Sequence, residues 1–178
     1  MKKYVIDFDM DHVLADFDKS FNEQYNDKQQ FPQADAMFFH DLKPLSSIGG
    51  GDYFVDNYIY VHSLIAEGHK VRIVTAPSIR NVNCWTGKAY WVKKYFDLQM
   101  LEDLIITYDK SITSLTGDIL VDDSTKNGQK AYGDRHLVYG SDKYPTMKHV
   151  HDQILRWSKE EKEFSLKDKI EDYKQYKK

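Results

Sequence analysis

Two aspartates stand two residues apart where an apolar run ends, in Val5-Ile6-Asp7-Phe8-Asp9-Met10-Asp11. A carboxylate at the carboxyl end of a buried strand can serve as a nucleophile, and a second one two residues on can face the same pocket as acid and base. Further along, the run KVRIVT ends in Thr75-Ala76-Pro77, and Lys88 follows in Gly87-Lys88-Ala89-Tyr90-Trp91. The run DILVD closes on Asp122-Asp123, followed by Ser124. Two acids, a hydroxyl, a cation and two more acids make a site for a phosphate and a magnesium ion. The acids hold the metal, while the hydroxyl and the ammonium meet the phosphoryl oxygens. A calcium loop does not fit, because Val13 and Leu14 stand where an oxygen ligand and a glycine are needed. A plain pair of turn-capping aspartates would explain Asp9 and Asp11 alone, but not the ordered set.

Such a set works only if its members are gathered, and a parallel sheet gathers strand ends. Five segments read as buried strands: Tyr4 to Asp9, Lys70 to Thr75, Leu104 to Thr107, Asp118 to Asp122 and, more weakly, His136 to Tyr139. Helical segments alternate with them. Tyr58 to Glu67 is expected to place Ile59, Val61, Leu64 and Ile65 on one side, and Gly87 to Tyr95 to group Tyr90, Trp91 and Tyr95. Strands alternating with helices predict an α/β fold with a parallel sheet, and ligands bind beyond the carboxyl ends of such strands. From Asp16 to about Gly51 no strand is apparent. That interval holds Pro32, Pro44 and Gly49-Gly50-Gly51, and reads as a small helical cap inserted after the first strand. The expected organisation is a catalytic core of residues 1–16 and 52–157, a cap at 17–51 whose boundary is open toward 68, and a charged C-terminal helix at 158–178. That helix would dock weakly through Phe164, Leu166, Ile170 and Tyr173.

Composition sets the class. The 178 residues are 41% hydrophobic and 30% charged, enough for a core and too apolar for disorder throughout. Lys plus Arg is 25 against 28 Asp plus Glu, a net charge of −3, which argues against a nucleic-acid partner. The single cysteine, Cys84, excludes an intrachain disulfide and a cysteine-built zinc site; it is expected in the loop before Lys88. No apolar run is long enough for a signal peptide or a membrane span. A cytoplasmic protein with no membrane partner is expected.

The ordered motifs resemble the haloacid dehalogenase superfamily of phosphotransferases. A receiver domain also uses acids, Thr and Lys, but there the acidic pair comes early and the Lys last. Several blocks are similar to one branch, the 5'(3')-deoxyribonucleotidases. They are Asp9-Met10-Asp11-His12-Val13-Leu14-Ala15-Asp16-Phe17, Phe38-Phe39 before Leu42-Lys43-Pro44-Leu45, and Thr75-Ala76-Pro77. To these add Lys88-Ala89-Tyr90-Trp91-Val92-Lys93-Lys94-Tyr95-Phe96, Thr107-Tyr108-Asp109-Lys110, and Asp118 through Asp123. The chain departs from the pattern at His12, where the family usually has Gly, and at Asp7, where an apolar strand residue is expected. Its cap segment is also shorter than in the mammalian members.

The resemblance implies a Rossmann-like parallel sheet sandwiched by helices, with the small helical cap over it. It implies magnesium held by the Asp9 carboxylate, the Asp11 backbone carbonyl and Asp123, with Asp122 behind them. Asp9 would attack phosphorus to give an aspartyl-phosphate, and Asp11 would protonate the leaving oxygen and later activate water. Thr75, Ala76 and Lys88 would hold the phosphoryl group. Phe17 and Phe39 would form a slot for the nucleobase. The expected activity is magnesium-dependent hydrolysis of nucleoside monophosphates, deoxyribonucleotides above all, with a small-molecule nucleotide as partner and a homodimer left open. The rival readings are a phosphatase of the same mechanism for another small phosphoester, a catalytically silent module that keeps the fold, and a nucleic-acid end-processing phosphatase.

Overall fold

Each of the five apolar runs becomes a strand, and all five join one parallel sheet. The computed structural model describes residues 1–17, 53–77, 83–160 and 166–176. Residues 18–51 of the expected cap, Phe39 among them, lie outside the described residues. The elements are β1 (Val5–Phe8), α1 (Tyr53–Ala66), β2 (Lys70–Thr75), α2 (Asn83–Tyr95), α3 (Leu98–Glu102) and β3 (Ile105–Ile106). A 3-10 helix (Lys110–Leu115), β4 (Ile119–Asp122), a second 3-10 helix (Gln129–Arg135), β5 (His136–Val138), α4 (Met147–Glu160) and α5 (Leu166–Tyr176) follow. The strand order is β3-β2-β1-β4-β5. This is the parallel α/β architecture that the resemblance implies.

β1 is the central strand. It pairs with β2 (Phe8 opposite Ile73) and with β4 (Phe8 opposite Val121), so Asp9, Thr75 and Asp122 leave three neighbouring strands at one edge. Ile6, Phe8, Ile73, Ile119 and Val121 are fully buried in the core. Asp7, the polar residue inside this strand, is also fully buried, and its register partner on β2 is Arg72. The guanidinium donates to both carboxylate oxygens, Nε to Oδ1 at 2.6 Å and Nη2 to Oδ2 at 2.8 Å. A buried acid is tolerated at the centre of the sheet because its charge is paired in this bidentate way.

The helices pack on stripes that differ in detail from the sequence expectation. Among the described side chains of α1, Asn57, Val61 and Leu64 are buried, while Ile59 and Ile65 are exposed. Ile59 and Val61 are two residues apart, so a helix turns them to opposite sides. In α2 the inward stripe is Cys84, Gly87, Lys88, Trp91 and Val92, and Tyr90 is exposed. Cys84 is therefore a core residue in the first turn of α2 rather than a loop residue. α1 packs on β2 and α4, which places its described side chains with the core. The charged C-terminal region is divided between two helices: α4 continues to Glu160, and α5 packs against both 3-10 helices. Among the described residues no helix is long and apolar enough to cross a membrane.

After β1 the chain folds back tightly. The Leu14 and Ala15 amides donate to the Met10 carbonyl, the His12 amide donates to the Ala15 carbonyl, and Met10, Val13, Leu14 and Ala15 are buried beneath. To close this turn His12 adopts φ +61°, the left-handed region. Glycine reaches that region freely, which explains the residue the family usually places here. His12→Gly should stay within about 1 kcal/mol of the wild type in urea denaturation, while the β-branched His12→Val should lose about 2 kcal/mol. Equal stability of the two variants would show that the turn does not hold this residue left-handed.

Candidate active site

The carboxyl edge of the sheet opens into a cleft of about 380 Å³, a size that suits a small-molecule ligand. Asp9, Asp11, His12, Phe17, Ala76 and Asp123 are among the residues that line it. Asp9 is fixed by its backbone, whose amide donates to the Val121 carbonyl of β4 at 2.8 Å. Asp11 sits in the turn after β1. Its Oδ2 accepts a hydrogen bond from the Lys88 ammonium at 2.8 Å, while its Oδ1 is buried with no hydrogen-bond partner. Lys88, fully buried on the inward stripe of α2, also donates to the Thr75 hydroxyl oxygen at 2.8 Å. Thr75 accepts there, which leaves its own proton available to a phosphoryl oxygen.

Sequence reasoning left a second ammonium group without a role. Lys110 heads the first 3-10 helix, lines the cleft, and bridges Asp9 (Oδ1, 2.8 Å) and Asp122 (Oδ2). Two contacts fix the start of this helix. The Asp109 carboxylate accepts from the Ser111 amide at 2.9 Å, and the Lys110 amide donates to the Asn127 carbonyl at 2.8 Å. The signal is present in the sequence: Lys110 lies just past the third strand and ends the Thr107-Tyr108-Asp109-Lys110 block, but the ordered set of acids, hydroxyl and cation is already complete with Lys88 as its cation. Gln129 was also missed. It is buried and donates from Nε2 to Asp122 Oδ2 at 3.3 Å.

The three acids at the sheet edge, Asp9, Asp122 and Asp123, each offer a carboxylate oxygen within 4.8 Å of the others. They are not equivalent. Asp122 is fully buried and engaged by Lys110, by Gln129 and by the Ser124 amide at 2.8 Å. Asp123 is exposed to the cleft. Burial pushes the Asp9 carboxyl up, Lys110 opposes this, and the Asp122 charge adds to it. Burial also works against the Lys110 ammonium, but Asp9 and Asp122 outweigh it and raise its pKa. Asp123 is pushed up to about 6, first by desolvation and then by the Asp9 charge, with His12 pulling the other way. Four carboxylates face two ammonium groups here, an excess of two negative charges. An all-oxygen donor set with that excess fits a divalent cation such as magnesium.

Phe17 is 5% exposed. It belongs to the core, reaches the cleft, and meets the His12 ring edge-on at 6.1 Å between centroids. Ala76 reaches the cleft directly after Thr75. Tyr108 stands at the cleft and is 57% exposed.

Comparison with known proteins gives a consistent picture. Residues 29–169 match the family described as "5' nucleotidase, deoxy (Pyrimidine), cytosolic type C protein". A protein of Vibrio phage KVP40 with the provisional name 5'(3')-deoxyribonucleotidase is 24% identical over 148 residues, covering 80% of this chain and 79% of its own. A Bordetella bronchiseptica protein with the same provisional name is 27% identical over 153 residues, 74% of this chain and 80% of its own. One from Acanthamoeba polyphaga mimivirus is 31% identical over 113 residues, 61% of this chain and 46% of its own.

The Asp123 carboxyl holds its proton more tightly in the folded chain than in the unfolded one. Without metal, its contribution therefore destabilises the fold as pH rises from about 4 through about 6. In a chelator at pH 8, Asp123→Asn should melt at a higher temperature than the wild type, and the gap should close as the pH is lowered through 6. Magnesium should raise the wild-type melting temperature and leave that of Asp123→Asn nearly unmoved. Equal magnesium responses would remove Asp123 from the metal site.

Proposed function

The chain belongs to the 5'-nucleotidase family just described and is a phosphoric monoester hydrolase, and we propose that it hydrolyses nucleoside monophosphates, deoxyribonucleotides above all, with magnesium and an aspartyl-phosphate intermediate. The observation that carries this reading is the set of four carboxylates against two ammonium groups around one cleft. A phosphate monoester repels an anionic nucleophile, so the site must bring its own positive charge. Asp9, Asp123 and the Asp11 backbone carbonyl would hold magnesium, which would supply part of that charge. Asp122 stays behind, tied to Lys110, Gln129 and the Ser124 amide.

The protein groups divide the remaining work. The Asp9 carboxylate attacks phosphorus, and the bond to the leaving sugar oxygen breaks as the Asp9–phosphorus bond forms. Asp11 protonates that oxygen from Oδ1, its unpartnered oxygen, while Lys88 holds Oδ2 and so fixes the orientation of the carboxyl group. The same carboxylate then takes a proton from water, which attacks phosphorus and frees Asp9. The Thr75 hydroxyl donates to a phosphoryl oxygen, kept in place by Lys88. Lys110, next to the nucleophile, offsets the charge that develops on the transferred group. Phe17 and Phe39 stack on the base in this reading, and the residues of the expected cap complete the slot. We place the protein in the cytoplasm.

Phosphate release from ribo- and deoxyribonucleoside monophosphates, against a panel of sugar phosphates, tests the reading. Deoxyribonucleotides should lead, and a chelator should stop turnover. Asp9→Asn should abolish activity, since an amide cannot form the acyl phosphate, while circular dichroism stays that of the wild type. A preference for sugar phosphates would transfer the site to another small phosphoester. An active Asp9→Asn would move the nucleophile elsewhere.

A further inference from the structure

Beneath the cleft, and apart from the residues that line it, a chain of polar side chains connects the central strand to the helix that carries Lys110. Asp7 on β1 is held by Arg72 of β2, as described, and Arg72 Nη1 reaches the Thr116 hydroxyl at 3.1 Å. The Tyr132 hydroxyl donates to Asp7 Oδ2 and lies 2.7 Å from the Thr113 hydroxyl. The Thr113 hydroxyl in turn donates to the carbonyl of Lys110 itself at 2.7 Å. Asp7 takes two guanidinium N–H groups as a carboxylate, so Tyr132 must be the donor to it. The Thr113 proton is then shared between the Lys110 carbonyl and the Tyr132 oxygen. Asp7, Thr113 and Tyr132 are all at least nine-tenths buried, and none lines the cleft.

From this connection we infer that Tyr132 and Thr113 are positioning residues that hold the Lys110 ammonium against Asp9 and Asp122. The inference rests on the phosphatase reading above. A lysine ammonium on a four-carbon stem is a mobile charge, and its placement depends on where its backbone is fixed. The Lys110 backbone is fixed from two sides: its amide by the Asn127 carbonyl, and its carbonyl by Thr113. The second anchor leads through Tyr132 to Asp7, two residues before the nucleophile on the same strand. Nucleophile and cation are thus referred to one strand by a short run of hydrogen bonds. Gly117 shows how closely this run is packed: a Cβ there would lie 2.2 Å from Asp7 Oδ2 and 2.8 Å from the Tyr132 hydroxyl. Packing alone would not require these hydroxyls, since an apolar residue fills a buried site without the cost of desolvating them.

The test compares Tyr132→Phe, Thr113→Val, Thr113→Ser and Gly117→Ala with the wild type. Activity is read on the leading nucleotide with saturating magnesium, at a temperature where circular dichroism shows each variant folded. A displacement of about 1 Å at a reacting centre can cost up to about a hundredfold in rate. Tyr132→Phe, Thr113→Val and Gly117→Ala should each lower kcat at least about tenfold with KM within about twofold, because the substrate's remote contacts are untouched. Thr113→Ser, which keeps the hydroxyl, should restore most of the rate. If Tyr132→Phe does not fold, the two Thr113 variants decide. Folded variants with wild-type kcat would overturn the inference, and so would equal losses in Thr113→Val and Thr113→Ser, which would point to bulk rather than the hydroxyl. A wild-type protein that releases phosphate from no phosphoester would overturn the phosphatase reading and this inference together.

Discussion

One ammonium group between two carboxylates organises the functional end of this protein. Lys110 bridges Asp9 at the end of the central strand and Asp122 at the end of its neighbour. Parallel strands bring their carboxyl ends together, so a sheet of this kind concentrates acids wherever its loops begin with them. Without a cation among them, Asp9 and Asp122 would not both remain charged in a buried site. Lys110 settles that conflict inside the protein, and Lys88 does the same for Asp11. The excess of negative charge beyond the two lysines is what a divalent metal would neutralise. The electrostatic requirement comes first, and the fold is the means by which it is met.

The same principle accounts for the buried polar residues of the core. Asp7 is a fully buried acid in the central strand of the sheet, which would destabilise the fold if it were alone. Its register partner is Arg72, so the two charges enter the core together. α2 does something similar at its own scale. Its inward stripe is apolar except at Lys88, and that lysine spans the distance from the helix to Asp11 and Thr75. In both places a charged side chain occupies a position where periodicity alone would put a hydrophobe.

This explains which features were legible in the sequence. The five strands were readable because buried parallel strands are nearly continuous apolar runs, and the acids at their ends marked the site. Thr75, Asp9, Asp11 and Lys88 meet because strand ends and the facing helix converge. The helix stripes are less readable: apolarity groups Ile59 with Val61 and Leu64, although helical geometry separates it from them, and Ile65 shares the face of Val61 yet is exposed. Lys110 is hard to read because its 3-10 helix has no periodic signal, and because its partner Asp9 lies on a strand distant in sequence. His12 was visible as a departure but not as a conformation. Only the backbone shows that the turn after Asp9 holds a left-handed residue.

The central position of β1 has a consequence for how the protein is made. Its first strand waits for partners that are synthesised much later: Arg72 is 65 residues away, Asp118 is 113 away, and Tyr132 is 125 away. While the ribosome is still adding those segments, an aspartate that needs a buried counter-ion and an apolar strand that needs two neighbours are both exposed. Contacts of such long range form slowly and leave an interval in which strand edges can pair wrongly. Asp9 precedes every strand it must meet, so the acid-lined edge of the sheet is assembled only once β4 has been made and paired.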